Sequence, residues 1–167
     1  MGGFIYEQGG ISMKTLVVYY SRKGSVRKLA LERAEELGAD FLELETVTDV
    51  TGPSGFMRCG ASAVTGKSMP IFPYDTDVSS YDKVIIFSPV WAGKVSTPVM
   101  EFVRKERRNI YEADYVFVSG SGKPDAETLA VGLDKILRLD HGSAENIKNP
   151  FIKTAKKEDA SDGQDQD

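Results

Sequence analysis

Short apolar runs alternate with amphipathic stretches through the middle of this chain. Thr15–Tyr20 (TLVVYY) is an unbroken run of β-branched, aliphatic and aromatic residues, the pattern of a strand buried on both faces. Val26–Leu37 then sets Val26, Leu29, Ala30, Ala34 and Leu37 at helical spacing with charges between them, and Gly38 supplies a stop. Asp40–Thr46 alternates Phe41 or Leu42 with Glu43 and Glu45, which suits a strand nearer a sheet edge. Tyr81–Ser88 (YDKVIIFS) and Tyr115–Ser119 (YVFVS) are two more buried strands. A helix is predicted over Thr97–Arg108, with Thr97 as N-cap and Pro98 at the first helical position. Another is predicted over Asp125–Leu137, with Leu129, Leu133, Ile136 and Leu137 on one side. Residues 47–81 are the least regular, punctuated by Gly52, Pro53, Gly55, Gly60 and Gly66, with one short helix over Phe56–Val64. After Leu139 the pattern fades. Phe151–Thr154 is the one candidate for a fifth strand, and no helix follows it.

Strands alternating with helices predict an α/β fold: a doubly wound three-layer sandwich around a central parallel sheet, its C-terminal strand and helix truncated or irregular. The chain divides into a flexible N-terminal extension over 1–12, one domain over 13–154, and an acidic tail over 155–167. The tail (KEDASDGQDQD from Lys157) has no apolar residue larger than alanine and reads as disordered. Met13, just before the first strand, is a candidate natural start.

Composition changes this picture little. The chain has 167 residues, enough for one sizeable core. Its net charge of −4 speaks against nucleic acid as a partner, since a polyanion needs a basic face. A single cysteine, Cys59, excludes an internal disulfide and fits a reducing compartment. No apolar run approaches the ~20 residues of a membrane span, and the first residues lack a secretory pattern. The expected location is the cytoplasm, with no membrane partner.

Candidate chemistry lies in the loops. In a doubly wound sheet, ligands bind outside the carboxyl ends of the strands. Three loops leave such ends: Ser21–Val26, Pro89–Thr97 and Ser119–Pro124. The first precedes a helix, where free N–H groups and the positive helix end attract an anion. Gly24 permits close backbone approach, Ser21 and Ser25 carry hydroxyls, and Arg22 and Lys23 add positive charge. The same residues also suit an ordinary strand–helix turn with Ser25 as N-cap. The loop has neither G-x-x-x-x-G-K-[ST] nor G-x-G-x-x-G, so a monophosphate fits it better than a nucleoside triphosphate or a pyrophosphate. The second loop carries Trp91, the single tryptophan, which either stacks on a planar ligand or packs on the protein's own core.

The stretches KTLVVYYSRKGSVRKLA and VIIFSPVWAGKVSTPVMEFV, with the YYS-x-x-G turn, the PVWAG loop and the spacing between them, resemble the flavodoxin family from Lys14 to about Leu137. The resemblance implies a flavodoxin-like fold that binds FMN. It places the FMN phosphate at Ser21, Arg22, Lys23, Gly24, Ser25 and Val26. It sets Pro89, Val90, Trp91, Ala92 and Gly93 beside the isoalloxazine ring, and gives the third loop to Ser119, Gly120, Ser121 and Gly122. The family's phosphate loop runs roughly [ST]-x-T-G-x-T, whereas Lys23 and Val26 stand at its two later threonine positions. Two lost hydroxyl donors, each contributing about 0.5–3 kcal/mol, would weaken FMN by one to four powers of ten, with Lys23 offsetting part. A missing terminal helix would also leave an apolar strip of the sheet uncovered. A second subunit as homodimer, the N-terminal extension, or the segment around Phe151 would then cover it.

The resemblance implies an electron carrier between redox partner proteins, with flavin doing the chemistry and no catalytic residue. An FMN-dependent NAD(P)H reductase acting on a small-molecule acceptor such as a quinone or nitro compound is the alternative, and a flavin-free scaffold domain is another. Cys59 reads as a small semi-buried residue, His141 as a helix-terminus residue, and Lys105–Arg108 as a solvated basic helix end. Tyr74 and Tyr81 are candidate ring neighbours. No Cys or His spacing suggests a metal.

Overall fold

The computed structural model describes residues 12–151; the predicted acidic tail, and the N-terminal extension apart from Ser12, lie outside them. Five strands form a parallel sheet: β1 (Thr15–Tyr20), β2 (Asp40–Leu44), β3 (Lys83–Trp91), β5 (Ala113–Ser119) and β6 (Ala144–Lys148), in the order β2-β1-β3-β5-β6. The two-residue β4 (Lys94–Val95) pairs antiparallel with the end of β3. Strand order reverses between β1 and β3, so a crevice opens at their carboxyl ends.

The predicted burial pattern sorts the helices. Leu16 and Val18 of β1, Val84 and Ile86 of β3, and Tyr115 and Phe117 of β5 face one side. There they meet α3 (Thr97–Glu106) and α4 (Ala126–Leu137), with α2 (Gly52–Thr65) packed beside α3. Val17, Tyr19, Ile85, Phe87, Val116 and Val118 face the other side, against Val26, Ala30 and Ala34 of α1 (Ser25–Leu37). The sequence reading expected an uncovered apolar strip of sheet; among the described residues on this face, Ile85, Phe87, Val116 and Val118 are all buried. Arg33 of α1 lies 6.0 Å from the Phe87 ring centroid and bonds Glu145 of β6 at 2.9 Å, so one helix reaches across to the last strand.

Several boundaries differ from the sequence reading. The fifth strand is Ala144–Lys148, not Phe151–Thr154. Phe151 sits in a turn, and 152–154 lie outside the described residues. This edge strand is half polar (AENIK), and Ile147 and Ala144 alone pack on the apolar body, so its periodicity is faint. The helix of the 50s begins earlier than Phe56, at Gly52, with Pro53 in its first turn. Helix α3 is capped by Ser96 rather than Thr97 and ends at Glu106, with Pro98 at its second position. Thr97 turns its hydroxyl inward to Ser62, at 2.8 Å. Among the described residues no helix is long and apolar enough to cross a membrane.

Candidate functional site

The first loop leaves β1 at Tyr20. Ser21 Oγ accepts a hydrogen bond from the Gly24 amide at 2.9 Å, which folds the loop back on itself. Gly24 stands at φ 95°, ψ −9°, a left-handed conformation that strains any residue with a Cβ, and it is the N-cap of α1. Ser25 is therefore the first residue of the helix, not its cap, and no side chain caps the N-terminus. The first-turn amides of α1 have no intrahelical acceptor and point out of the helix end.

The two cations of this loop have different tasks. Arg22 donates from Nε to the Val50 carbonyl at 2.9 Å and from Nη2 to the Gly52 carbonyl at 2.7 Å. Its guanidinium also lies 5.7 Å from the Phe56 ring centroid. Arg22 thus ties the start of α2 to the first loop. Lys23 is exposed and lines the crevice. Val26, at a family threonine position, is 3% exposed and packs with Val17 and Tyr19 in the core.

The second segment is more ordered than a loop. Strand β3 runs through Pro89 and Val90 to Trp91, and a two-residue turn returns it to β4, with Val90 opposite Val95 and Trp91 opposite Lys94. Ala92 (φ 50°) and Gly93 (φ 75°) make the turn; paired positive φ values match the twist of the flanking strands. The hairpin is fastened by Ser88, whose buried Oγ accepts from the Ser96 amide at 3.1 Å and meets Ser96 Oγ at 2.9 Å. Trp91 lies edge-on to Tyr20, with centroids 5.4 Å apart and planes at 89°. It is only half-buried, so it rests on the core by one edge and still lines the crevice. Of the two sequence readings of this residue, packing on the protein's own core is observed, and its remaining face is open to the recess.

The third loop follows β5. Ser119 is buried, its Oγ accepting from the Gly122 amide and donating to Asn146 Oδ1, each at 2.9 Å. Ser121 and Gly122 continue the loop, which reaches Pro124 through a cis peptide.

These three segments meet in one recess of about 240 Å³, walled by Arg22, Lys23, Ser25 and Val26, by Pro89, Val90 and Trp91, and by Val118, Ser119 and Gly120. Ser21, Gly24, Ala92, Gly93, Ser121 and Gly122 belong to the same turns but stand outside the wall. Two wall residues escaped the sequence reading. Phe56 enters from α2, 64% exposed, and Asn149 enters from the segment after β6. Asn149 donates from Nδ2 to Ser25 Oγ at 3.2 Å, and its Oδ1 accepts from the Phe151 amide. Placing the last strand correctly would have brought Asn149 to this edge; an exposed phenylalanine beside glycines and a proline was the signal for Phe56.

Other candidates lie elsewhere. Tyr74 donates to Glu106, and Tyr81 to Asp40 at 2.7 Å, each away from the recess. Hydrogen bonding to Asp40 and partial burial push the Tyr81 phenol up to about 12. Cys59 is buried, which raises its thiol above the usual range. His141 bonds Asp134 through Nδ1 at 2.7 Å and Glu127 through Nε2 at 2.9 Å, both on α4. Among the described residues no group of three His, Cys, Asp or Glu could hold a metal.

The sequence model of the Flavodoxin domain family matches residues 59–150, a span that includes the second and third segments and begins after the first. No curated protein matches the chain. Among solved structures, the chain is similar to a flavoprotein in complex with FMN from Lactobacillus acidophilus NCFM, at TM-score 0.69 and 19% identity, covering 85% of this chain and 97% of that one. The apo-form of the flavoprotein from the same organism aligns at TM-score 0.59 and 20% identity, over 86% and 97% of the two chains. A Bacteroides eggerthii DSM 20697 protein assigned as a flavoprotein aligns at TM-score 0.71 and 16% identity, over 89% and 97%. At these identities the likeness is one of fold.

Proposed function

The chain belongs to the flavodoxin domain family, and from that premise we propose that it binds FMN in the Trp91 recess and carries electrons between redox partner proteins. The observation that carries this reading is the convergence of three separate segments at the carboxyl edge of β1, β3 and β5, around a half-buried Trp91 and beside an uncapped helix N-terminus. The donor set suits the group. The first-turn amides of α1, the Ser25 hydroxyl and the Lys23 ammonium would hold the phosphate. Trp91, Val90, Gly120 and the exposed Phe56 would bracket the ring. The isoalloxazine ring, when bound, supplies reversible electron uptake. The chain's own residues orient the ring, exclude water from one side of it and set the charge around it.

The site differs from the family pattern in where its positive charge comes from. Val26 is a core residue and Arg22 is bonded to the α2 loop, so among the described residues Lys23 is the side-chain cation of the wall that has no bonded carbonyl. An electron carrier is favoured over an NAD(P)H reductase because residues 47–81, the long insertion, contribute only Phe56 to the recess. The rest of that segment lies elsewhere; Ile71, for instance, bridges to Thr46 at the β2 edge.

The test is a visible absorption spectrum of the purified protein before and after FMN is added and the excess washed out. Retained flavin bands with quenched Trp91 fluorescence support the reading. A colourless protein whose fluorescence ignores FMN overturns it and leaves a flavin-free scaffold. Steady-state NADH or NADPH oxidation by the loaded protein would move it to the reductase class.

A further inference from the structure

On the far side of the Trp91 hairpin lies a second cavity, which the flavin reading does not use. It has a volume of about 380 Å³ and runs over α3, between the C-terminal half of α2 and the exposed flank of α4. That size lies within the range of pockets that enclose small organic ligands. Its walls are apolar or small: Ala63 of α2, Val95 of the hairpin, Met100 of α3, and Leu129 of α4. Among the described residues its charged wall residues are Lys94 and Arg104, and no carboxylate joins them, in a chain whose net charge is −4. Arg104 Nη1 stands 3.6 Å from Glu101 Oε1, outside hydrogen-bond range, so its charge is only partly offset.

The helix beside this cavity carries a glycine the fold does not require. Gly132 is in the interior of α4, with no positive φ, and a Cβ built on it would meet nothing within 4 Å. Neither backbone conformation nor close packing explains it. An interior glycine costs a helix roughly 1 kcal/mol relative to alanine. Gly132 lines the cavity and leaves its part of the wall without a side chain.

We propose that this cavity binds a small planar organic anion, its ring lying on Gly132, Leu129 and Met100 and its carboxylate, sulfonate or phosphate group reaching Lys94 and Arg104. Small wall residues admit a flat body, the aliphatic side chains desolvate it, and the two wall cations, Lys94 from the hairpin and Arg104 from the last turn of α3, attract its charged group. The hairpin is the wall shared with the flavin recess: Trp91 faces one space, Gly93 and Lys94 the other. The site does not depend on flavin being bound.

The probe is 2-naphthoate, titrated into the ¹⁵N-labelled full chain and followed by amide chemical shifts, with and without added FMN. The expected result is saturable shifts clustered at Gly66, Gly93, Lys94, Thr128 and Gly132, unaltered by FMN. Gly132→Leu should abolish them. Lys94→Gln, at an exposed position of the two-residue strand β4, should weaken binding about threefold to tenfold. Neutral 2-naphthamide should bind more weakly than the carboxylate by a similar factor. Shifts centred instead on Gly24, Ser25 and Gly120 and displaced by FMN, an absence of saturable shifts, or equal binding of amide and carboxylate would each overturn the proposal. FMN binding is read separately from its own absorbance, so failure of the flavin reading leaves this result standing.

Discussion

Ser88 and Ser96 meet hydroxyl to hydroxyl at 2.9 Å, both fully buried, at the base of the hairpin that presents Trp91. Ser88 Oγ also accepts from the Ser96 amide and donates to the Pro89 carbonyl, so it serves three partners and Ser96 Oγ only one. Ser88→Ala would strand a buried amide and a buried hydroxyl, at about 1–3 kcal/mol. Ser96→Ala removes one partner and should cost less. Thermal unfolding checks the order: Ser88→Ala should lower the midpoint by several degrees more than Ser96→Ala, and equal effects would contradict the network described.

Arg22 and Lys23 are neighbours in the sequence with opposite roles. Arg22 holds the start of α2, so Arg22→Gln should loosen Phe56 and weaken FMN and riboflavin by the same factor. Lys23 lines the recess where the proposed FMN phosphate would sit, so Lys23→Gln should weaken FMN about threefold to tenfold and leave riboflavin, which lacks the phosphate, unchanged. Flavin fluorescence titrations of the two variants with the two ligands measure this. The FMN effect of Lys23→Gln should shrink as salt rises.

Two glycines of α2 should respond in opposite directions. A Cβ on Gly55 would lie 2.0 Å from the Val50 carbonyl carbon, a backbone atom with nowhere to go. Gly55→Ala should therefore destabilise by at least about 2–3 kcal/mol and loosen the loop that Arg22 grips. A Cβ on Gly60 meets nothing within 4 Å, and Gly60→Ala should stabilise by about 0.5–1 kcal/mol through helix propensity. Chemical denaturation of both variants gives the signs.

His141 gives stability a pH dependence. The hydrogen bond to Asp134 is the main reason its pKa is raised, with the Asp134 and Glu127 charges adding to it against partial burial. Tyr115 supports the group from β5, donating to the other Asp134 oxygen at 2.9 Å with its ring 5.7 Å from the imidazole. A raised folded-state pKa means the stabilisation is complete below the unfolded value of 6.5 and is lost as pH climbs through the folded value. Unfolding free energy should thus fall on going from pH 6 to pH 8. His141→Gln should flatten that slope, and a slope unchanged in the variant would reject the assignment.

The parts of this molecule legible in its sequence are those where one physical signal dominates. Strands β1, β3 and β5 are buried on both faces, so their apolar runs were unmistakable, and parallel order then brought Ser21–Val26, Trp91 and Ser119–Gly120 to one edge. Where two demands act on a residue, the reading faltered. Thr97 has the chemistry of a cap, but its hydroxyl bonds Ser62 across the α2–α3 contact, and the unremarked Ser96 takes the cap position. Trp91 looked like a loop residue because Pro89 and Gly93 punctuate the stretch, yet a short antiparallel return makes it part of a strand. Strand β6 pairs at the sheet margin with backbone bonds that any sequence can make, so its side chains carried little information.

Asn149 and Ser25 are 124 positions apart, yet they share a hydrogen bond in the wall of the recess. During synthesis the first loop and the Trp91 hairpin emerge long before that partner does. A nascent chain halted within β5 would own the first loop and lack the Asn149 segment that bonds to it. Full closure of the crevice is thus a late event, and a ligand that needs every wall would select only molecules whose translation has passed residue 149.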